Sequence, residues 1–376
     1  MWGFNMFIEA FQHISGFLYK SVAILDGWNS LTIEENYYSC DTFELTIALN
    51  KDNIQNFQPE NVFFFDNVYY YVDEISSTDS GSTALVVRGR SLAGKFDSRI
   101  IDRIYTASKS PALIVYDHFN QEMIAPGNYS DSTGNFNGAS RKIDYLILST
   151  TDGLGLDTID YQTSYQEVQS QVEVLCQTYD FGFREVAVDD ISPKNKITIY
   201  KGRDLSDVIE ISDDFDNLIN VTYEHATYDE KTTAYGFGEG EGASRVKVVV
   251  NPDKAGLERK ELYVDARDLQ SVDPDTEKPI PAATYKNMLI DRSKQKLAER
   301  LAILTMNGEI ELNSKLFKFK EDFDVGDRIK IKSNLYQFAK IVTIVKAKKT
   351  YDATGYYVEL VFDKEVPTVF DIIGRN

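Results

Sequence analysis

The chain has 376 residues, 43% of them hydrophobic, so its length suggests two to four domains with room for more than one buried core. Forty basic residues against 59 acidic ones leave a formal net charge of −19. That balance argues against nucleic-acid binding and against a polybasic membrane anchor, because both need clustered Lys and Arg. The 23 Tyr and 22 Phe, with only 9 Pro, favour β-strands over disorder.

Cys40 and Cys176 are too far apart for a CxxC pair. They read as small buried hydrophobes, with no disulfide framework and no Cys-based zinc site, as expected of a chain folded in a reducing cytosol. The apolar start, MWGFNMFIEAFQ, has no basic residue before Lys20 and is interrupted by Asn5, Glu9, Gln12 and His13. It is neither a signal peptide nor a membrane span, and an alternating first strand is the simpler reading.

Residues 1–108 read as β-rich. Phe43 to Leu49 alternates at period two, and Val62–Phe65 and Tyr69–Ile75 are aromatic and β-branched runs. The Asp66-Asn67 pair between them predicts a tight hairpin turn. A further turn is expected at Asp79-Ser80-Gly81. In the middle, Ser110-Pro111 predicts a capped helix over Ala112–Phe119. The Gly-, Asn- and Ser-rich stretch at 125–140 predicts an exposed loop. Ser164 and Glu167 form a capping-box pattern. Tyr165, Val168, Val172, Leu175 and Tyr179 then recur with helical spacing, and Gly182 follows. Lys196–Tyr200 alternates as a strand, so 109–200 reads as α/β.

Extended structure returns over 201–235. Residues 236–242 are glycine-rich, with Gly236, Gly238, Gly240 and Gly242, and Val246–Val250 reads as a strand. A long helix is expected from Ala282 to Thr305, with Ile290, Leu297, Leu301 and Leu304 on one face. Arg328–Lys332 alternates strictly, Ser333-Asn334 reads as a two-residue turn, and Leu335-Tyr336 opens the return strand. Tyr351–Gly355 turns into Tyr356–Phe362. Laying Asn334 on Asn67 places Tyr336 on Tyr69, Ile331 on Phe64 and Ile329 on Val62. The echo suggests two related small barrels with α/β material between them.

No motif points to catalysis. Glu239 and Glu241 sit inside the glycine run and no Lys-Ser/Thr follows, so it reads as a hinge between domains rather than as a phosphate cradle. His13, His118 and His225 stand alone, without a second ligand at metal spacing. No GxSxG is present. Glu321 to Asp327 is acidic but lacks a twelve-residue calcium loop, and it reads as a solvated turn.

Several stretches together resemble one family, the siphophage baseplate or tail-tip hub proteins. Ala23–Leu31, Tyr37-Tyr38 and Asp41–Leu45 resemble the opening of those proteins. Tyr71–Ile75, Val87–Leu92, Tyr200–Ser206, Gly238–Gly242, Val264–Asp268 and Lys296–Glu299 follow in the family's order. These hubs form the N-terminal module of tail-associated lysins and are similar in fold to the hub proteins of contractile tails. The resemblance, with lactococcal-type phages the nearest source, implies a mixed β and α+β fold in a trimeric hub. Two related β-barrels would occupy 1–108 and 201–235 with 310–376, an α/β domain 109–200, and an inserted α+β domain 236–309. It implies a virion structural protein, made in the host cytoplasm and placed at the distal tail tip.

The implied assembly is a homotrimer seated on the hexameric distal tail protein, with the tape measure protein and receptor-binding proteins as further neighbours. It would close the tail tube and open for DNA, without specific nucleic-acid binding, a membrane span or a cofactor. Lytic relatives append a hydrolase. The chain stops at Asn376, so no enzymatic part and no catalytic or metal residue is expected. The rival readings are a cell-wall hydrolase and, from the many Tyr, a host-carbohydrate-binding module. The four glycines at 236–242 are the expected hinge of a gate.

Overall fold

Period-two alternation builds the first part of the chain. In the computed structural model, which describes residues 7–77, 83–126, 138–212, 218–273, 277–310, 317–336 and 338–362, this region holds seven strands and a short helix. They are β1 (Ile8–Ser15), β2 (Leu18–Leu25), β3 (Ser30–Asn36), β4 (Thr42–Ala48), α1 (Lys51–Asn56), β5 (Val62–Phe65), β6 (Val68–Ser76) and β7 (Ala84–Ser91). Asp66 and Asn67 both have positive φ, 47° and 62°, and join β5 to β6 in a two-residue turn, as their sequence predicts. The strands curl around Ile8, Leu31, Ile33, Leu45, Phe63 and Val87, which are all buried. The expected turn at 79–81 lies outside the described residues.

The middle follows with β8 (Ile104–Lys109), α2 (Pro111–Phe119), β9 (Leu146–Leu148), β10 (Ile159–Ser164), α3 (Val168–Tyr179), β11 (Gly182–Ala187) and β12 (Asn195–Tyr200). Ser110 caps α2, its side chain accepting from the Leu113 amide, and Pro111 takes the first turn. Most of the expected loop at 125–140 lies outside the described residues. The capping box at Ser164 and Glu167 does not form. Ser164 closes β10 opposite Ile104, and Tyr165 is exposed at φ 53°. Pairing with β8 keeps the chain extended through Ser164, and the left-handed Tyr165 puts off the start of α3 to Val168. Asp180 ends α3 in a left-handed conformation, and Gly182 follows at the start of β11. β8 pairs with β10, and β12 lies between β11 and β9.

The last part comprises β13 (Glu210–Ser212), β14 (Leu218–Ala226), β15 (Thr233–Phe237), β16 (Lys247–Val250), β17 (Glu261–Asp265), α4 (Ala282–Ala298), β18 (Ile303–Ile310), β19 (Arg328–Ser333), β20 (Phe338–Asp352) and β21 (Gly355–Phe362). Helix α4 stops seven residues short of Thr305. Residues 303–310 pair with β14 instead, so Leu301 and Leu304 are not helical. The β19–β20 connection is also longer than expected. Ser333 pairs with Phe338, and the Ser333 hydroxyl accepts from the Tyr336 amide. Leu335 and Tyr336 thus belong to the turn, and the echo with 62–76 holds only for the outgoing strand.

Among the described residues, one sheet of 13 strands runs β14-β18-β21-β20-β3-β4-β7-β6-β5-β1-β2, with β19 on β20 and β13 on β19. Its second half encloses a separate core of Ile209, Val325, Ile329, Ile331, Ile344 and Leu360. A third core, with Phe96, Phe119, Val172, Leu175 and Phe183, fills the middle. The β15–β17 sheet packs on α4 through Val248, Ala266, Tyr285 and Leu289. Of the described helices, none is long and apolar enough to cross a membrane.

Candidate functional site: a buried ionic junction between two β cores

The two β cores meet where β3 pairs antiparallel with β20, Ser30 opposite Asp352 through Asn36 opposite Lys346. Alternation places Glu35 and Lys349 on the same face, two rungs apart. The Lys349 ammonium lies 2.8 Å from Glu35 and 2.6 Å from Asp66, and its side chain is almost wholly buried. Lys320 reaches the other Glu35 oxygen at 2.7 Å and Asp324 at 2.7 Å. Lys346 pairs with Glu34 at 3.0 Å nearby.

Burial alone would raise the Glu35 carboxyl, but Lys349 and Lys320 override it and hold it near 2. Burial would likewise lower Lys349, but Glu35 and Asp66 keep it well above its ordinary value. Asp41 behaves oppositely. It accepts from the Asn36 amide at 2.9 Å, yet burial and the Glu35 charge push it up to about 8. A cavity of about 840 Å³ opens beside this cluster, walled by Glu35, Asp66, Arg184, Tyr200, Lys320 and Lys349.

Next to the ions, Tyr37 locks three segments together. Its hydroxyl accepts from the Gly202 amide at 3.0 Å. A Cβ on Gly182 would meet the Tyr37 carbonyl oxygen at 1.9 Å, and one on Gly326, at φ 93°, would meet the Tyr37 ring at 2.5 Å. Asn195 ties the middle to the first sheet in the manner of a strand rung. Its amide donates to the Tyr69 carbonyl at 2.9 Å and accepts from the Tyr69 amide at 3.1 Å. It also donates to buried Glu185 at 2.8 Å.

The sequence-predicted glycines lie elsewhere. Gly236 and Gly238 sit at the end of β15 against α4. A Cβ there would meet Ser293 Oγ at 2.3 Å and the Tyr285 hydroxyl at 2.5 Å. Gly240 and Gly242 have positive φ, 100° and 53°, in the turn toward β16. The run therefore lies inside the β15–β16–α4 unit rather than between units. A hinge at Gly236 or Gly238 would have to break its packing on α4.

The acidic stretch 321–327 is not simply a solvated turn. Asp327 is buried, accepting from the Arg203 amide at 2.7 Å and from its guanidinium. His118 is buried among Tyr105 and Tyr161, and desolvation with the nearby Arg103 charge lowers it to about 3. Burial pushes both thiols up, so neither is an activated nucleophile. Among the described residues no group of three or more His, Cys, Asp or Glu could hold a metal. Sequence reasoning missed Glu35, Asp66, Lys320 and Lys349 as a set. It also missed Glu122, a fully buried carboxylate after α2 that is clamped by Arg103 and by Arg141, the latter at 2.9 Å. These contacts fix the two β cores and the middle segment against one another.

The family model of the Siphovirus ReqiPepy6 Gp37-like protein matches residues 18–362. Among solved structures, the chain is similar to a tail protein from Neisseria meningitidis MC58, at 12% identity and TM-score 0.54, covering 96% of this chain and 97% of that one. It is similar to a 43 kDa tail protein of prophage MuSo2 from Shewanella oneidensis, at 11% identity and TM-score 0.54, covering 95% and 98%. It is also similar to prophage tail protein gp18 from Listeria monocytogenes EGD-e, at 14% identity and TM-score 0.53, covering 98% of each. A comparison with curated proteins gives no match. The match over most of its length places the chain in the Siphovirus ReqiPepy6 Gp37-like protein family.

Proposed function

We propose that this siphovirus tail protein is the hub of the tail tip: a homotrimer seated on the hexameric distal tail protein, closing the tube and opening for DNA. The observation that carries the reading is the pair of separate β cores placed in series and fixed by the Glu35–Lys349–Asp66 ions. Three chains with two rigidly spaced cores each offer six comparable surfaces to a sixfold ring, and closed symmetry is the rule for such assemblies. The role is structural, with the cores as scaffold and no catalytic step assigned to any residue.

Opening would have to release the middle from the first sheet at Tyr37 and Asn195, and it would then move the middle and inserted segments together rather than separately. Asn287 on α4 donates to Asp160 at 2.8 Å, Tyr179 donates to Asp291 at 2.9 Å, and the Gln270 amide donates to Gln162 at 2.6 Å. These contacts make α4 and the 104–200 region one body. The test is imaging of the tail tip assembled with the distal tail protein. Three copies on a sixfold ring support the reading, and a single copy or an off-axis position would sink it.

A further inference from the structure

The β15–β17 sheet covers one face with α4 and leaves the other face to solvent. Tyr235 and Phe237 on β15, Lys247 on β16 and Tyr263 on β17 point that way, since their neighbours Ala234, Gly236, Val248 and Val264 are buried toward the helix. Tyr263 is 61% exposed. Arg245, Arg259 and Arg267 join them. Arg245 and Arg267 both pair with Asp265, at 2.9 and 2.5 Å, and Arg259 pairs with Glu261 at 2.7 Å, so the four cations outnumber the two carboxylates and this face is positive on a chain of net charge −19.

An aromatic sheet face suits sugar stacking only where the ring faces are free. Here they are covered. The Lys247 ammonium lies 5.0 Å from the Tyr235 ring and 5.5 Å from the Phe237 ring. Arg245 lies 5.4 Å from Phe237, and Arg259 lies 5.6 Å from Tyr235. The surface offered outward is thus cationic with an apolar margin at Tyr263, a combination of Arg and Tyr that marks protein interfaces and fits carboxylates. The same chain carries a complementary feature. The β11–β12 hairpin tip exposes Val188 and Ile191, the latter by 78%, beside Asp189 and Asp190. Asp189 rigidifies the tip by accepting from the Ile191 and Ser192 amides at 3.0 and 2.9 Å. Preorganisation of this kind reduces the entropy lost on docking.

We propose that the outer face of the β15–β17 sheet docks a second copy of this chain, with the 188–191 tip of one copy seated on Lys247, Tyr263 and Arg267 of the next. The contact joins unlike surfaces, so it forms a ring if the rotation between copies closes, as three copies about one axis require. The inference rests on the trimer reading and names one of its interfaces.

Light scattering and sedimentation of the full-length protein test it, using Lys247→Glu, Asp190→Lys and the combined Lys247→Glu/Asp190→Lys variant. Both single positions are exposed, and circular dichroism with thermal melts checks that each variant folds. Each single change is expected to raise the concentration at half-dissociation about tenfold, and the charge swap to return it toward the wild-type value. Single variants that assemble like wild type, or a swap that restores nothing, overturn the proposal and leave the trimer reading standing. A wild-type protein that is monomeric throughout sinks both. Retention on heparin that Lys247→Glu abolishes, with assembly unchanged, would assign the face to a polyanion instead and also overturn it.

Discussion

Glu35 and Lys349 meet at 2.8 Å across the pairing of β3 with β20, joining strands from opposite ends of the chain. The ion pair lies where the hydrogen-bonded path crosses from one β core to the other, with Lys349 buried and Glu35 nearly so. Lys349→Met removes one of the two cations on Glu35 and the cation on the partly exposed Asp66, while Lys320 stays on Glu35, so it should cost about 1–3 kcal/mol in urea unfolding. The combined Glu35→Gln/Lys349→Met variant should recover part of that loss. Equal stability of wild type and Lys349→Met would show that the cluster does not hold the cores together.

Acid should act at three sites, and at Asp41, pushed up to about 8 from 3.8, it acts with the opposite sign, adding stability as pH falls from 8 toward 3.8. The folded carboxyl of Glu35 is lowered to about 2 from an ordinary value of 4.5, so its contribution is present above pH 4.5 and is lost as pH falls toward 2. His118 is lowered to about 3 from 6.5. Its neutral form is favoured in the fold, so stability is complete above pH 6.5 and falls as pH drops toward 3, by up to about 1.4 kcal/mol per pH unit. A His118→Phe variant should flatten the slope between pH 6.5 and 4.5 and leave the steeper loss below it. Chemical denaturation at stepped pH reads both, and an unchanged slope would refute the His118 assignment.

The glycines around Tyr37 should be intolerant of any side chain. Gly182→Ala places a Cβ 1.9 Å from the Tyr37 carbonyl, which no rotamer change can relieve, and should destabilise by about 3 kcal/mol or more. Gly27→Ala, with nothing within 4 Å, is the matched control. Thermal melts that coincide for the two variants would contradict the tight junction.

Asn195 offers a separate test of the link between the first sheet and the middle. Asn195→Ala removes the partners of both Tyr69 backbone groups and one partner of Glu185. Each unsatisfied buried group costs about 1–3 kcal/mol. Hydrogen exchange should speed up at the Tyr69 amide well before the β4–β7 amides change. Uniform exchange rates would argue against a local role.

The parts legible in the sequence were those fixed by short-range chemistry. Alternation and Asp66-Asn67 predicted the β5–β6 hairpin, and Ser110-Pro111 predicted the start of α2. The failures came where distant pairing overrode local period. Leu301 and Leu304 continue the helical spacing of α4, yet the chain leaves the helix after Ala298 to pair with β14. Ser164 and Glu167 look like a capping box, but β8 holds Ser164 extended. Of the junction, almost nothing was legible. Lys349 lies in a run with Lys346 and Lys348, which reads as a solvated face, and its partners Glu35 and Asp66 lie near the other end of the chain. The surroundings of the glycine run were no more legible: only the packing of Tyr285, Leu289 and Ser293 shows why Gly236 and Gly238 carry no side chain.

The most direct test of the hub reading is the stoichiometry of the complex with the distal tail protein, measured by native mass spectrometry on the purified assembly. Each chain contributes 42.7 kDa. Three copies bound to one six-membered ring is the predicted result, with the mass rising by three chain masses when the ring is saturated. A saturated ring carrying one copy, two copies or six would contradict a trimeric hub with two ring-facing cores per chain.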